Sequence, residues 1–452
     1  MAEDPGLFCH LQSSVRFCVA FCASALAVFA QTPSHATRIT WDNLAPLHAA
    51  LESRGLTGPS FDAYLEHVRQ DDARRVREGD LDHLVFYALQ STHFTKRPSI
   101  EPALSAKTFV AAGNQIPADA RARLHDLLKA LDSSSTDPRL VYFRMLVHST
   151  FPKESERETG LLREYTRAMR FLYEKEFVAQ REGGRAVAEL YRTRGLSTDT
   201  AVEAGYVVYN GLGVLKSLDP DRPIRRVLIV GPGLDLAPRT SLLEAGPPES
   251  YQPWAVIDAL VSLGLSRFSD LTVVGADINP RVVDHLRRSR SVPPSLTLVS
   301  GIAETPTVQF SQDYRDYFAR LGRSIGETRP AAGALPGHLS KTVRVRAEAA
   351  RTLDAEALDI VTARLDTPPF DLIIATNILP YFDDTQLMLA MSNIAAMLAP
   401  GGVFMHNEPR PVLGDITVAV GMRFEQLRSV TIASVDGSPG PLADSVWLHR
   451  KR

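Results

Sequence analysis

After Cys22 the chain contains no cysteine: its three are Cys9, Cys18 and Cys22. A disulfide framework, a cysteine-ligated zinc site and a thiol nucleophile are therefore excluded from the folded body. Charge of one sign is also missing. Fifty Lys and Arg stand against 52 Asp and Glu, a net charge of −2. That balance argues against a generally basic nucleic-acid binder. Two short basic runs, Arg287, Arg288 and Arg290, and then Lys341, Arg344, Arg346 and Arg351, read as solvated faces rather than a nucleic-acid surface. The histidines are scattered, without a pair at ligand spacing, so no metal site is expected. Beyond residue 30 no apolar run is long enough to cross a bilayer. There is no internal repeat and no low-complexity tract.

What is present is ordinary for a globular protein: 452 residues, 44% apolar and 23% charged. That length suits two or three domains at roughly 100–200 residues each. The first thirty residues have the shape of a signal peptide. Arg16 precedes the apolar run Phe17–Ala30, and Val28 and Ala30 occupy the small-residue cleavage positions. Glu3 and Asp4 make the start more acidic than such leaders usually are. Three segments are expected: a leader over 1–30, a helical domain over 31–218, and an α/β domain over 219–452.

The helical reading of 40–217 rests on periodicity and caps. Ser60 is read as the N-cap of a helix from Phe61 to about Glu78, and Asp82–Gln90 as a second short helix. Leu124, Leu127, Leu128 and Leu131 fall at i, i+3, i+4 and i+7 of a helix over Ala118–Leu131. Leu162, Tyr165, Met169 and Leu172 repeat that face on a long helix ending at Gly183-Gly184. The spacing Thr200-x-x-Glu203 predicts a capping box opening a helix towards Leu218. Tyr191–Thr200 is unusually polar for an interhelical segment, which makes it a candidate lining for a pocket.

The pattern changes at Asp219-Pro-Asp-Arg-Pro223. Strands are predicted at Val227–Val230, Leu271–Val274, Leu296–Val299, Asp371–Ile374 and Gly402–Met405. Two closing strands follow at Ser429–Ser434 and Ser445–His449. Between them lie helices at Trp254–Leu263, at Pro280–Arg288 with Asn279 as its cap, and at Thr385–Leu398. Gly322–Lys341 is read as a loop. This alternation predicts a mostly parallel sheet of seven strands, covered by helices, with ligands at the carboxyl ends of the strands.

Four segments carry chemistry. In Arg226-Val-Leu-Ile-Val-Gly231-Pro232-Gly233-Leu-Asp235 a buried strand runs into two glycines. There the backbone turns tightly and a ligand approaches without a Cβ in the way. No Gly-Lys-Ser/Thr follows, so this is not a phosphate-binding Walker loop. Asp277, ending the second strand, has the position of an acid that accepts both hydroxyls of a ribose. Phe370-Asp-Leu-Ile-Ile-Ala-Thr-Asn377-Ile-Leu-Pro-Tyr381-Phe-Asp383 is a strand followed by a polar and aromatic turn. Met397-Leu-Ala-Pro-Gly401-Gly402-Val-Phe is a helix stop and a strand.

Taken in this order, the four segments resemble the class I S-adenosylmethionine (SAM)-dependent methyltransferases over about Ile224–Arg452. The finer pattern, including Tyr317-Phe318 before the Phe-Asp-Leu-Ile strand, is similar to the chemotaxis-receptor glutamate methyltransferases. That likeness is architectural: the Cys-Arg those enzymes carry before the asparagine is Ala375-Thr376 here. The resemblance implies a Rossmann-like domain that takes SAM as cofactor. It places Gly231 and Gly233 against the methionine part and Asp277 at the ribose, with Asp235 and Ile278 beside them in the binding set. Leu365 and Asp366 would lie near the adenine and Asn377 near the sulfonium. Tyr381 and His406 are the candidate bases for an acceptor proton. The acceptor is left open among a protein carboxylate, a small natural product and a lipid-like alcohol. The rival reading is a non-catalytic binding or scaffold protein on the same fold, possibly exported. A working methyltransferase would belong in the cytoplasm, where SAM is available.

Overall fold

Eight strands of the second half form one sheet, and its central strands are apolar on both faces. They are β1 (Arg226–Val230), β2 (Thr272–Asp277), β3 (Val308–Phe310), β4 (Leu353–Ala357), β5 (Phe370–Ala375), β6 (Leu398–His406), β7 (Met422–Val435) and β8 (Leu442–Lys451). The computed structural model describes residues 35–452 apart from 180–183, 238–241, 333–334 and 439. The leader-like run Phe17–Ala30 and the expected helix stop at Gly183 lie outside the described residues.

The spatial order is β3-β7-β8-β6-β5-β1-β2-β4. From β4 to β6 every pairing is parallel. The β7–β8 hairpin and the short β3 close the other end antiparallel. Alternation along β1 shows why the parallel strands must be apolar throughout. Val227 and Ile229 pack with helices Val202–Leu218 and Gln252–Ser262, while Leu228 and Val230 pack with Leu44–Val68 residues and helix Asp384–Met397. Both faces are covered, as parallel sheets require.

The sequence reading misplaces the third strand. Ser295–Val299 lies outside the main sheet and pairs with Ser340–Val345, which pairs in turn with Gly326–Pro330, in a separate antiparallel sheet. The stretch read as a loop over Gly322–Lys341 thus supplies a strand and begins another. The place beside β2 belongs to β4, where Asp277 stands opposite Ala357. Leu353-Asp-Ala-Glu-Ala357 alternates apolar and charged residues because it is the sheet edge, so it lacks the continuous apolar signature of a central strand. The sheet has eight strands rather than seven because β3 adds to the edge of β7.

Helices predominate among the described residues between 41 and 218. Gly58–Gln90 is one helix of 33 residues, where the sequence suggests two. Thr57 rather than Ser60 is its N-cap, and Ser60 closes the capping box. Asp80 and Asp82 in its middle are buried yet tolerated, because Arg281 lies 2.7 Å from Asp80 and Arg167 2.9 Å from Asp82. Ala118–Leu131 forms as the leucine spacing predicts. The expected capping box at Thr200 does not form. The helix is Val202–Leu218, with Ala201 as N-cap. The Glu203 carboxylate turns to the Gly301 N–H at 2.9 Å and the Tyr314 hydroxyl at 2.8 Å. Asn279 does cap Pro280–Ser291, accepting from Arg281 N–H at 3.0 Å. Among the described residues no helix is long and apolar enough to cross a membrane.

Candidate functional site

The sheet order reverses direction between β1 and β5. Among the parallel strands the order runs from β1 outward through β2 to β4, then returns beside β1 and runs outward the other way to β6. Crossovers leave such a switch point in opposite directions, opening a crevice beyond the carboxyl ends of the strands, where ligands of open α/β sheets bind. A cavity of about 990 Å³ lies there. Its floor is made of Val230 and Gly231 at the end of β1, Ala276–Ile278 at the end of β2, Leu358–Ile360 past β4, Thr376–Ile378 past β5, and Glu408 past β6. Its walls come from the helical half, including Asp72, Tyr191, Arg194 and the run Leu196–Val202. The volume suits a nucleotide-sized ligand with space beside it.

Gly231 and Gly233 both have left-handed backbone, φ 66° and 72°. A Cβ on Gly231 would stand 2.5 Å from Ile378 Cγ2, and one on Gly233 2.3 Å from Thr200 Oγ1. The glycines are thus fixed by conformation and by crowding. Leu234 N–H donates to the Thr198 carbonyl at 2.8 Å, and the Thr198 hydroxyl donates back to the Leu234 carbonyl at 2.8 Å. The polar segment before Val202 is bound to the glycine turn as a second layer of the same wall.

Asp277 is 5% exposed and lines the cavity. Its Oδ1 accepts from Asn279 N–H at 2.8 Å and its Oδ2 from Gly233 N–H at 3.4 Å. Burial raises its carboxyl pKa to about 6, against the pull of those two N–H groups. Its neighbour Asn279 is held from beneath by Asp80 Oδ1 at 3.1 Å, an oxygen that also receives Arg281 at 2.7 Å. Tyr142 hydroxyl takes the other Asp80 oxygen at 2.5 Å. The helical half therefore braces the turn that presents Asp277. Asp235 is at the cavity too; it accepts from Thr200 N–H at 3.3 Å, and burial, then the charge of Asp199, push its pKa up. Ile278 follows Asp277 on the same wall.

Past β5, Asn377 adopts φ 61°, a conformation asparagine tolerates better than most residues. Its N–H donates to Asn407 Oδ1 at 2.9 Å and its Oδ1 accepts from Asn407 Nδ2 at 2.8 Å. Thr376 beside it accepts from Gln252 Nε2 at 2.7 Å through its hydroxyl. Tyr381 meets Tyr191 edge to face, ring centres 5.4 Å apart, and both line the cavity. Arg75 sets this pair: its guanidinium donates to the carbonyls of Arg194 and Tyr191 at 3.0 Å each and of Tyr381 at 3.4 Å.

The structure thus brings Gly231, Gly233, Asp235, Asp277, Ile278, Asn377 and Tyr381 to one cavity and leaves three other expected residues outside its lining. Leu365 ends the strand Ala363–Leu365, which pairs antiparallel with Ala36–Arg38, and Asp366 N–H donates to the His35 carbonyl. The residues past β4 that do line the cavity are Leu358, Asp359 and Ile360. These residues follow β4, the strand that takes the place beside β2 expected of Leu296–Val299. His406 is inside the sheet, 1% exposed, with ring centres of Phe404, His449 and Trp447 at 5.0, 5.1 and 5.9 Å. Burial, then the neighbouring His449, lower its pKa to about 3, so it is neutral and accepts from Glu408 N–H at 3.2 Å. Two residues later, beyond the strand end, Glu408 lines the cavity, and burial raises its carboxyl pKa. The sequence signal for Glu408 is its offset: the residue past the end of the strand reaches the crevice, and the one inside the strand does not.

No protein-family model matches the chain. No curated protein matches it either. Among solved structures it is similar to the N-methyltransferase NodS from Bradyrhizobium japonicum WM9 in complex with S-adenosyl-L-homocysteine (13% identity, 54% of this chain and 86% of that one, TM-score 0.28). It is also similar to magnesium protoporphyrin IX methyltransferase (ChlM) from Synechocystis PCC 6803 with bound SAM (10% identity, 62% and 94%, TM-score 0.29). A third is the CurJ carbon methyltransferase (14% identity, 90% and 97%, TM-score 0.31). These likenesses are too remote to assign anything to this chain, whose site is read from its own residues.

Proposed function

We propose that the chain transfers a methyl group from SAM to an acceptor held in the same cavity. The observation that carries this reading is the buried Asp277 carboxylate. It ends β2 at the switch point and is tied through Gly233 N–H to a left-handed glycine turn one strand away. A carboxylate there suits a ribose diol, and the turn suits the chain that continues from the ribose. The residues fit SAM: the glycine backbone on the methionine side, Asp277 at the ribose, and Ile278 with Leu358–Ile360 for the base. When bound, SAM supplies an activated methyl on a sulfonium.

Positioning does much of the work in such a transfer. The Asn377–Asn407 pair and the Gln252–Thr376 bond hold the floor past β5, and Tyr191 and Tyr381 form an aromatic wall. An acceptor that must lose a proton has Glu408 and the Tyr381 hydroxyl at the same cavity. The raised Glu408 pKa brings that carboxylate closer to the value a general base needs near neutral pH. A receptor-type carboxylate acceptor is not part of this reading, because the arginine position of those enzymes is Thr376, whose hydroxyl is bonded to Gln252. We take the working compartment to be the cytoplasm, the source of SAM, a point cell fractionation tests.

The test is calorimetric titration of SAM and of S-adenosyl-L-homocysteine (SAH) into the full chain. Micromolar binding that Asp277→Ala abolishes is expected. A folded protein that binds neither at millimolar concentration overturns the reading.

A further inference from the structure

Asp72 enters the cavity wall from the Gly58–Gln90 helix, far in sequence from every strand of the sheet. It is 6% exposed. Its nearest cation, Arg75, is 3.8 Å away and spends its donors on the carbonyls of Tyr191, Arg194 and Tyr381. No described residue donates a hydrogen bond to the Asp72 carboxylate. Asp359, the acid past β4 whose charge Asp72 feels, is differently placed. Its oxygens accept from Val361 N–H at 2.9 Å and from the Thr362 hydroxyl, so they are taken up by their own turn. A buried carboxylate without donors is costly unless a ligand supplies them.

The part of the cavity it reaches is set by its neighbours. Asp359 follows directly on β4, whose end is joined to β2 through Leu358 N–H donating to the Asp277 carbonyl at 3.0 Å. Ile278, Leu358 and Ile360 give that end apolar surface for the faces of a flat ring. A carboxylate lining the same cavity beside Asp359 can accept from the edge of such a ring.

We propose that Asp72 is a specificity residue, which accepts a hydrogen bond from the exocyclic 6-amino group of the cofactor's adenine and rejects a 6-oxo purine there. This inference rests on the SAM reading above. An amino group presents N–H donors to the carboxylate; a 6-oxo group presents a lone pair to it, which repels. Burial raises the Asp72 pKa to about 7, so the acceptor form is the majority at pH 8.

The experiment is paired calorimetry at pH 8, titrating SAH and its 6-oxo analogue, S-inosyl-L-homocysteine, into the full chain, Asp72→Asn and Asp72→Ser. The wild type is expected to prefer SAH by roughly ten- to a hundred-fold, the range of a hydrogen bond to a charged group. Both variants should shrink that ratio at least several-fold, Asn the more, because its amide also donates to a 6-oxo group. A merely structural role for Asp72 would weaken both ligands alike and leave the ratio unmoved. An unmoved ratio in either folded variant overturns the assignment while SAH binding itself stands. Failure of the wild type to bind either ligand overturns the SAM reading, and this inference with it.

Discussion

A Cβ on Gly233 would stand 2.5 Å from the main-chain oxygen of Thr198, the same oxygen that Leu234 N–H occupies at 2.8 Å. The glycine turn is therefore shaped as much by the helical segment above it as by the strand below. Gly233→Ala meets both a left-handed φ of 72° and that oxygen. We expect a stability loss of about 1–3 kcal/mol, read as a lower denaturation midpoint, and loss of SAH binding by calorimetry. Retention of both would mean that the turn is not the cofactor wall.

The raised pKa of Asp277 sets a pH dependence. On the proposed reading the ribose is held by the carboxylate, and the group takes up a proton as pH falls through about 6. The SAH dissociation constant should rise by up to about tenfold per pH unit below that point. Asp277→Asn should bind weakly throughout and lack this part of the slope. Calorimetry between pH 5 and pH 8 measures both.

Asp80 joins Arg281, Asn279 and the Tyr142 hydroxyl beneath the site. Removing it leaves the Arg281 cation buried without its partner, a change that costs about 3–5 kcal/mol. Asp80→Ala should lower the unfolding midpoint strongly and weaken SAH as the Asn279 turn relaxes. Surface pairs such as Arg329 with Glu327 should show at most about 1 kcal/mol on Glu327→Ala.

Glu249 accepts Thr297 N–H at 2.9 and 2.8 Å, and burial raises its pKa to about 8. The folded state keeps a proton that the unfolded chain releases above about 4.5. This group's stabilising contribution is thus full below that value and is lost as pH rises through about 8. Glu249→Gln carries no such loss. Its unfolding free energy, read by denaturant titration, should gain on the wild type from pH 5 to pH 8, by up to about 1.4 kcal/mol per pH unit.

His406→Phe removes a histidine that was a plausible base in the sequence and is a stacked core residue in the structure. SAH affinity should be unchanged within twofold, since the ring does not line the cavity. Calorimetry on the folded variant decides this, and a large loss of affinity would return His406 to the site.

The parts of the fold legible in the sequence were those with strong local signatures. Val227–Val230 and Leu372–Ala375 are buried on both sides and read as unbroken apolar runs. Asn279-Pro280 carries its cap in its own side chain. The third strand was illegible because β4 is an edge strand with charges on alternate positions, whereas Leu296–Val299 mimics a buried one while serving another sheet. The residues past β4 that line the cavity are Leu358, Asp359 and Ile360, and Leu365-Asp366 lies outside its lining. Asp277 ends β2, and Gly231 and Gly233 stand within three residues of the end of β1, so the strand pattern alone directs all three to the crevice that they line. Asp72 and Arg75 were not legible, because nothing local in a long polar helix tells which turn meets a loop some three hundred residues later.

The first described strand, Ala36–Arg38, pairs with Ala363–Leu365. That ladder, like the bond from Arg75 to the Tyr381 carbonyl, joins segments separated by most of the chain. Closing such loops carries a high entropic cost and slows folding. During synthesis the early helices emerge long before the strands whose ends they cover, and they must wait with that face uncovered. The cavity is therefore among the last features to form, and ribosome-bound chains ending before β5 should contain helices but not this cavity.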